Sequence, residues 1–173
     1  IVLIAGKEFR DGLRNRWVIA ITLLLGLFAL TLSFLGSAPA GTVKGSALAI
    51  TVVSLSSLSI FLVPLIALLL SYDAIVGEVE RGTMALLLSY PVSRAEVIMG
   101  KFAGHCLILG VSTLSGYGVA GVLVQTLQGD GADAGWGPFA VLIGSSVLLG
   151  ASFLALGYLV STVVRERATA AGL

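Results

Sequence analysis

Four stretches without a single Asp, Glu, Lys or Arg run from Trp17 to Val43, Gly45 to Tyr72, Phe102 to Gly129 and Ala134 to Val164. Each meets or exceeds the roughly 20 apolar residues that a helix needs to cross a hydrocarbon core. Lipid offers no water to backbone N–H and C=O groups, and within one segment only a helix pairs them all. The chain is therefore expected to be all-α, a polytopic transmembrane helix bundle with spans at 17–36, 48–72, 102–128 and 137–164. Composition leads to the same place. Charged residues make up 11% of the chain against 57% hydrophobic, where a soluble domain is about one quarter charged.

Charge placement predicts the orientation. Lys7, Arg10, Arg14 and Arg16 precede the first span, Arg81, Arg94 and Lys101 lie between the second and third, and Arg165 and Arg167 follow the fourth. Lys44 alone falls on the other side. That bias puts 1–16, 73–101 and 165–173 in the cytoplasm and the loops 37–47 and 129–136 outside, as in a multi-pass membrane protein with a cytoplasmic N-terminus. The chain opens on Ile1 and stops soon after a charged cluster, so it is expected to be a segment lacking residues at both ends. A secretory signal is not expected, because the charged stretch from Lys7 to Arg16 leads into an apolar run too long for an h-region.

Several function classes lose support. Ionisable groups inside a membrane mark proton relays and ion paths, and these spans carry none. His105 is the only histidine and Cys106 the only cysteine; adjacent on a helix, they point apart, unlike a nucleophile and its base. One cysteine excludes an internal disulfide and a Cys-rich metal site, and Met84, Met99 and Cys106 lie at the cytoplasmic side, away from any path for a soft metal. A phosphate-binding loop needs G-x-x-x-x-G-K-[ST]; here Gly100-Lys101 is followed by Phe102 and the first glycine position is Ala95. The chain is not expected to be an enzyme or to hold a metal, a cofactor or nucleic acid, and ATP chemistry would have to reside in another subunit.

Small residues recur at helix-packing spacing, Ser112, Gly116 and Ala120 in the third span and Ser146 and Gly150 in the fourth. Ser54, Ser56, Ser57 and Ser59 could hydrogen-bond between helices, and Ser54, Ser57 and Ser59 are the candidates for polar contact along a substrate path. Pro64 is expected to kink the second helix.

The cytoplasmic parts carry the most information. Val2, Ala5, Phe9, Leu13 and Trp17 gather on one side of an N-terminal helix, opposite Lys7, Glu8, Asp11 and Arg14, which predicts an interfacial elbow helix at 1–16 with Trp17 at headgroup level. In the loop 73–101, Thr83 is expected to cap a short helix at 83–90. Ser93-Arg94-Ala95-Glu96 matches a capping box, with Val92 and Val97 as a hydrophobic staple, so a second helix should begin at Ser93 and run into the third span. The result is a helical hairpin. Its short helix holds Met84, Leu86, Leu87, Leu88 and Tyr90, apolar on nearly every face, which calls for a partner. Glu78, Glu80 and Arg81 at its rim would orient that partner.

These residues resemble the ABC-2 type permeases. Gly77-Glu78-Val79-Glu80-Arg81-Gly82-Thr83, then Leu86-Leu87-Leu88-Ser89, Pro91-Val92-Ser93-Arg94 and Gly100-Lys101, are similar to the family's pattern between its second and third spans. The resemblance implies a coupling helix that seats in a cytoplasmic ABC ATPase subunit, with contact carried by Glu78, Glu80, Arg81, Thr83, Met84, Leu86, Leu87 and Leu88. It also implies a dimeric ATPase, a second copy of the permease, alternating access between the two copies, and two more spans beyond Leu173. A narrower likeness, to the Nos-type permeases of nitrous-oxide reductase copper-site maturation, rests on the stretches Lys7 to Trp17, Thr51 to Leu55 and Pro64 to Glu78. It implies an accessory protein on the periplasmic side and a sulfur or copper-related cargo. A permease for a drug, lipid or polysaccharide remains an alternative, as does a membrane assembly factor that transports nothing.

Overall fold

The computed structural model describes residues 1–14, 16–36, 47–72, 74–128 and 136–164. The expected cytoplasmic end at 165–173 and nearly all of the two outer loops lie outside this set, as does the side chain of Trp17. The described residues form seven helices: α1 (Val2–Leu13), α2 (Arg16–Gly36), α3 (Ala47–Ser71), α4 (Val76–Glu80), α5 (Thr83–Leu88), α6 (Arg94–Gln128) and α7 (Trp136–Val163).

The chain is an integral membrane protein built as an all-α bundle. Helices α3, α6 and α7 are each long and apolar enough to cross a bilayer, and α1 with α2, bent by 69° from each other, are so only as a pair, which gives three or four spans among the described residues. Among them α3 packs most extensively on α7 and α2 on α6, while α6 also touches α3 and α7. Leu25, Leu55, Val63, Leu109, Tyr117 and Phe139 are buried where these helices meet. Large apolar side chains such as Leu27, Phe61, Val141 and Leu148 stay exposed on the outer faces, the surface that lipid would cover.

The small residues do bring helices together. Gly116 lies so close to α2 that a Cβ there would sit 3.3 Å from the Gly26 backbone nitrogen. Gly150 faces Val63 and Leu109, and Ser112, Ala120 and Ser146 are buried. The Thr22 and Ser112 hydroxyls are 2.8 Å apart between α2 and α6. Pro64 is buried inside α3.

Helix α1 lies against α6 along a face that takes in Ala5 of the apolar stripe together with Glu8 of the expected polar side. Ile4, Ala5, Glu8 and Gly12 meet Gly100, Gly104 and Ile108 of α6, while Val2 and Leu13 are exposed. Closeness of approach explains this choice of face. A Cβ at Gly100 would fall 2.7 Å from the Ile4 Cβ, and one at Gly104 would fall 3.0 Å from the Ala5 carbonyl oxygen. The spacing Gly100-x-x-x-Gly104 lets two backbones approach closely, and that draws Glu8 in beside Ala5.

Candidate functional site

At the end of the bundle that bears most of the charged side chains, α3 gives way to the hairpin of α4 and α5. Its start is held from α7: the Ser161 hydroxyl accepts hydrogen bonds of 3.1 Å from the backbone N–H of both Ile75 and Val76. These are amides at the start of α4 that have no partner within the helix. Ala74 and Ile75 pack with Tyr158, and Met84, Ile98 and Phe102 close over them. The Tyr158 hydroxyl is 2.7 Å from Nδ1 of buried His105, and the Phe102 ring stands edge-on to Tyr158 at 5.9 Å. His105 and Tyr158 thus brace the inner side of the hairpin.

Gly82 separates the two short helices. Its φ of 72° is left-handed, a conformation glycine adopts without Cβ strain. Gly82, not Thr83, is the N-cap of α5; the Thr83 hydroxyl instead donates to the Glu78 carbonyl at 3.3 Å. The helix stops at Leu88, two residues short of the expected Tyr90. Ser89 turns back, its hydroxyl donating to the Leu86 carbonyl at 2.7 Å, and Pro91 disfavours helical geometry in the residue before it.

The expected capping box is present. The Ser93 N–H donates to Glu96 Oε2 at 2.8 Å and the Glu96 N–H to Ser93 Oγ at 3.2 Å. The backbone and side-chain bonds from Ser93 hold the Glu96 carboxyl below the usual carboxylate range, ahead of the charge-free run that begins at Phe102. From Arg94 the helix continues without a break to Gln128.

No residue of α5 is buried. Leu86 is 68% exposed, and Leu86, Leu87 and Tyr90 form one wall of an open groove of about 400 Å³ whose other wall is Leu3, Ile4 and Lys7 of α1. Met84 and Leu88 border a separate hollow of about 280 Å³ toward α6. Glu80 and Arg81 are exposed.

Glu78 behaves differently from the rest of the rim. Its side chain is 12% exposed and reaches Lys101 Nζ at 2.8 Å. The same Nζ lies 2.9 Å from Glu8 Oε1 on α1, and the Lys101 side chain is only 3% exposed. Glu78 therefore points into the protein. Two carboxylates on one ammonium satisfy much of a charge that would be costly to bury alone. A cavity of about 470 Å³, bordered by Glu8, Asp11, Tyr72, Arg81 and His105, opens beside them. Sequence patterns miss this group because Glu8 sits on the polar side of α1 and Lys101 reads as a topological flank. The findable signal was the Gly-x-x-x-Gly spacing that brackets Lys101.

The three candidate serines do not share a face. Ser59 is buried, donates to the Leu55 carbonyl and lies 2.7 Å from the Tyr117 hydroxyl. Ser57 is exposed and bonds the Val53 carbonyl at 3.2 Å, and Ser54 is half-buried.

A bundle of charge-free spans interrupted by an apolar hairpin at its charged end is the arrangement expected of a permease, and residues 2–173 match the family model described as "ABC-2 family transporter protein". The chain belongs to the ABC-2 transporter family. Among curated ABC-2 relatives, it is 50% identical over 170 residues to the "Probable ABC transporter permease protein NosY" of Pseudomonas aeruginosa. It is 48% identical over 173 residues to the protein of the same name in Stutzerimonas stutzeri. Each match covers 98% of this chain and 62% of the relative, so the ABC-2 segment described here spans under two thirds of those proteins.

Proposed function

We propose that this chain belongs to a permease subunit that couples ATP hydrolysis on a separate cytoplasmic subunit to movement of a substrate across the bacterial inner membrane. The observation that carries the reading is α5: a short helix of apolar side chains, none buried, at the charged end of a membrane bundle whose sequence has no phosphate-binding loop. Apolar surface left facing water in this way marks an interaction site, and family membership supports an ABC ATPase as its occupant. Docking falls to Glu80, Arg81, Thr83, Leu86, Leu87 and Leu88, with Leu3 and Tyr90 as neighbours. Glu78 and Met84 support them from within.

The distribution of Lys and Arg supports a cytoplasmic hairpin and N-terminus. The subunit works as a dimer, each hairpin engaging one ATPase, with substrate passing between the copies. Of the three serines, Ser57 is the one whose exposure supports contact with such a passage. The likeness to Nos-type permeases supports a role in maturation of the nitrous-oxide reductase copper centre, with a sulfur or copper-related cargo and a periplasmic accessory protein.

The test is co-purification of the full-length permease with its P-loop ATPase subunit, for the unmodified protein and for Leu86→Asp. Leu86 touches little of its own chain, so the variant should keep the parent's melting temperature and lose the ATPase. Failure of the unmodified permease to retain the ATPase, or retention by Leu86→Asp, rejects the reading.

A further inference from the structure

Lys101 joins three elements that are far apart in the chain. Its ammonium holds Glu8 of α1 at 2.9 Å and Glu78 of α4 at 2.8 Å, and it is itself a residue of α6. Both distances are those of charge-assisted hydrogen bonds. A lysine suits the junction, since its ammonium carries three donors at one point and can serve two separate carboxylates, whereas the arginine fork matches one.

Two features make this more than an ordinary ion pair. The first is burial. An exposed pair holds its partners weakly and yields to salt, but the Lys101 side chain is 3% exposed, and Glu8 and Glu78 are 13% and 12% exposed. Removing the ammonium would leave two buried carboxylates without their counter-charge. The second is that, beyond its start at Ile75 and Val76, which Ser161 holds, the hairpin has few buried anchors. No residue of α5 is buried, and in α4 only Val76 and Gly77 are. On the other side, Gly100 and Gly104 bring α1 against α6 on either side of Lys101. The clamp thus sits where α1 and α6 approach most closely.

We infer that Lys101 is a positioning residue for coupling: it makes α1, the α4–α5 hairpin and the first turns of α6 one mechanical body. A push on α5 is then delivered to α1 and α6 together, and α1 travels with the hairpin and is not a passive anchor on the membrane surface. This rests on the reading of α5 as the ATPase contact.

The experiment places spin labels at Arg10→Cys and Val79→Cys in the full-length permease, with its other cysteines replaced, in lipid nanodiscs. Distances are measured first for the permease alone and then with its ATPase subunit, nucleotide-free and trapped with ATP and vanadate. The expected result, with labelled permease diluted into unlabelled copies so that the distance within one protomer is read, is a narrow distance that is the same in all three states. Lys101→Met should lose that narrow peak. So should the combination Glu8→Gln, Lys101→Met and Glu78→Gln, which removes the buried charges and with them the folding penalty of an unpaired one. A narrow distance in both variants, or a separation that changes with nucleotide in the parent, overturns the inference. Because the width is read on the permease alone, the clamp is tested even where the ATPase does not bind, and that second failure counts only against the docking surface.

Discussion

The Ser161 hydroxyl and the Val76 amide, 85 residues apart in the chain, are bonded at 3.1 Å, and the same oxygen takes the Ile75 amide. One side chain at the end of α7 therefore holds the first turn of α4. Ser161→Ala leaves two buried donors without an acceptor, which costs about 1–3 kcal/mol for each such group. Hydrogen exchange should quicken first at Ile75 and Val76, with the exchange of α3 and α7 little changed. Equal exchange in parent and variant would mean that the hairpin is held by other contacts.

Gly104→Val tests the approach of α1. A Cβ at 104 would lie 2.6 Å from the Glu8 Cβ and 3.0 Å from the Ala5 carbonyl oxygen, so α1 must move away and take Glu8 from Lys101. Overpacking of this kind costs about 1–3 kcal/mol. The expected readouts are a lower melting temperature and faster protease cleavage within residues 1–14.

Much of the architecture can be read from the sequence because lipid leaves few choices. A charge-free run such as 134–164 has to be helical, and α7 covers Trp136–Val163. Ser93 and Glu96 announce the start of α6 because a capping box is local, needing only neighbours three residues apart. The clamp is hidden for the opposite reason. Glu8, Glu78 and Lys101 come from three segments, and each alone resembles an ordinary charged flank. Helical periodicity places Glu8 with Lys7 and Asp11 on the water side, yet the glycines of α6 draw α1 in along the face that carries Glu8. Ser57 and Ser59 make the same point on a smaller scale, since two residues apart on a helix they look to nearly opposite sides.

The capping box gives a prediction with a contrast built in. Ser93→Ala removes the acceptor for the Glu96 amide and should cost about 1 kcal/mol. Amide exchange near Glu96 and Val97 would rise. Because Ser93 lies outside the docking groove and the clamp, the ATPase should still co-purify, and its loss would show that the start of α6 is part of the docking surface.

Tyr117 separates hydrogen bonding from packing in the membrane core. Tyr117→Phe removes the bond to Ser59, while Ser59 keeps its bond to the Leu55 carbonyl. Bonds between helices in lipid average about 0.6 kcal/mol, so the melting temperature should hardly change. Tyr117→Ala opens a cavity in the centre of the bundle and should cost about 3–5 kcal/mol, as large aromatic truncations do. A large effect of the phenylalanine variant would move the weight of that site from packing to polarity.

Helix α6 runs for 35 residues without proline, which at 1.5 Å per residue is roughly 50 Å. A hydrocarbon core takes up about 30 Å of that length. Residues 94–101, about 12 Å of the helix at the same rise, precede the charge-free run at Phe102 and form the stem on which the hairpin is mounted, with Lys101 at its base. Such a stem behaves as a lever with no elbow, so a small tilt imposed at Arg94 must reappear, with opposite sense, at the far leaflet.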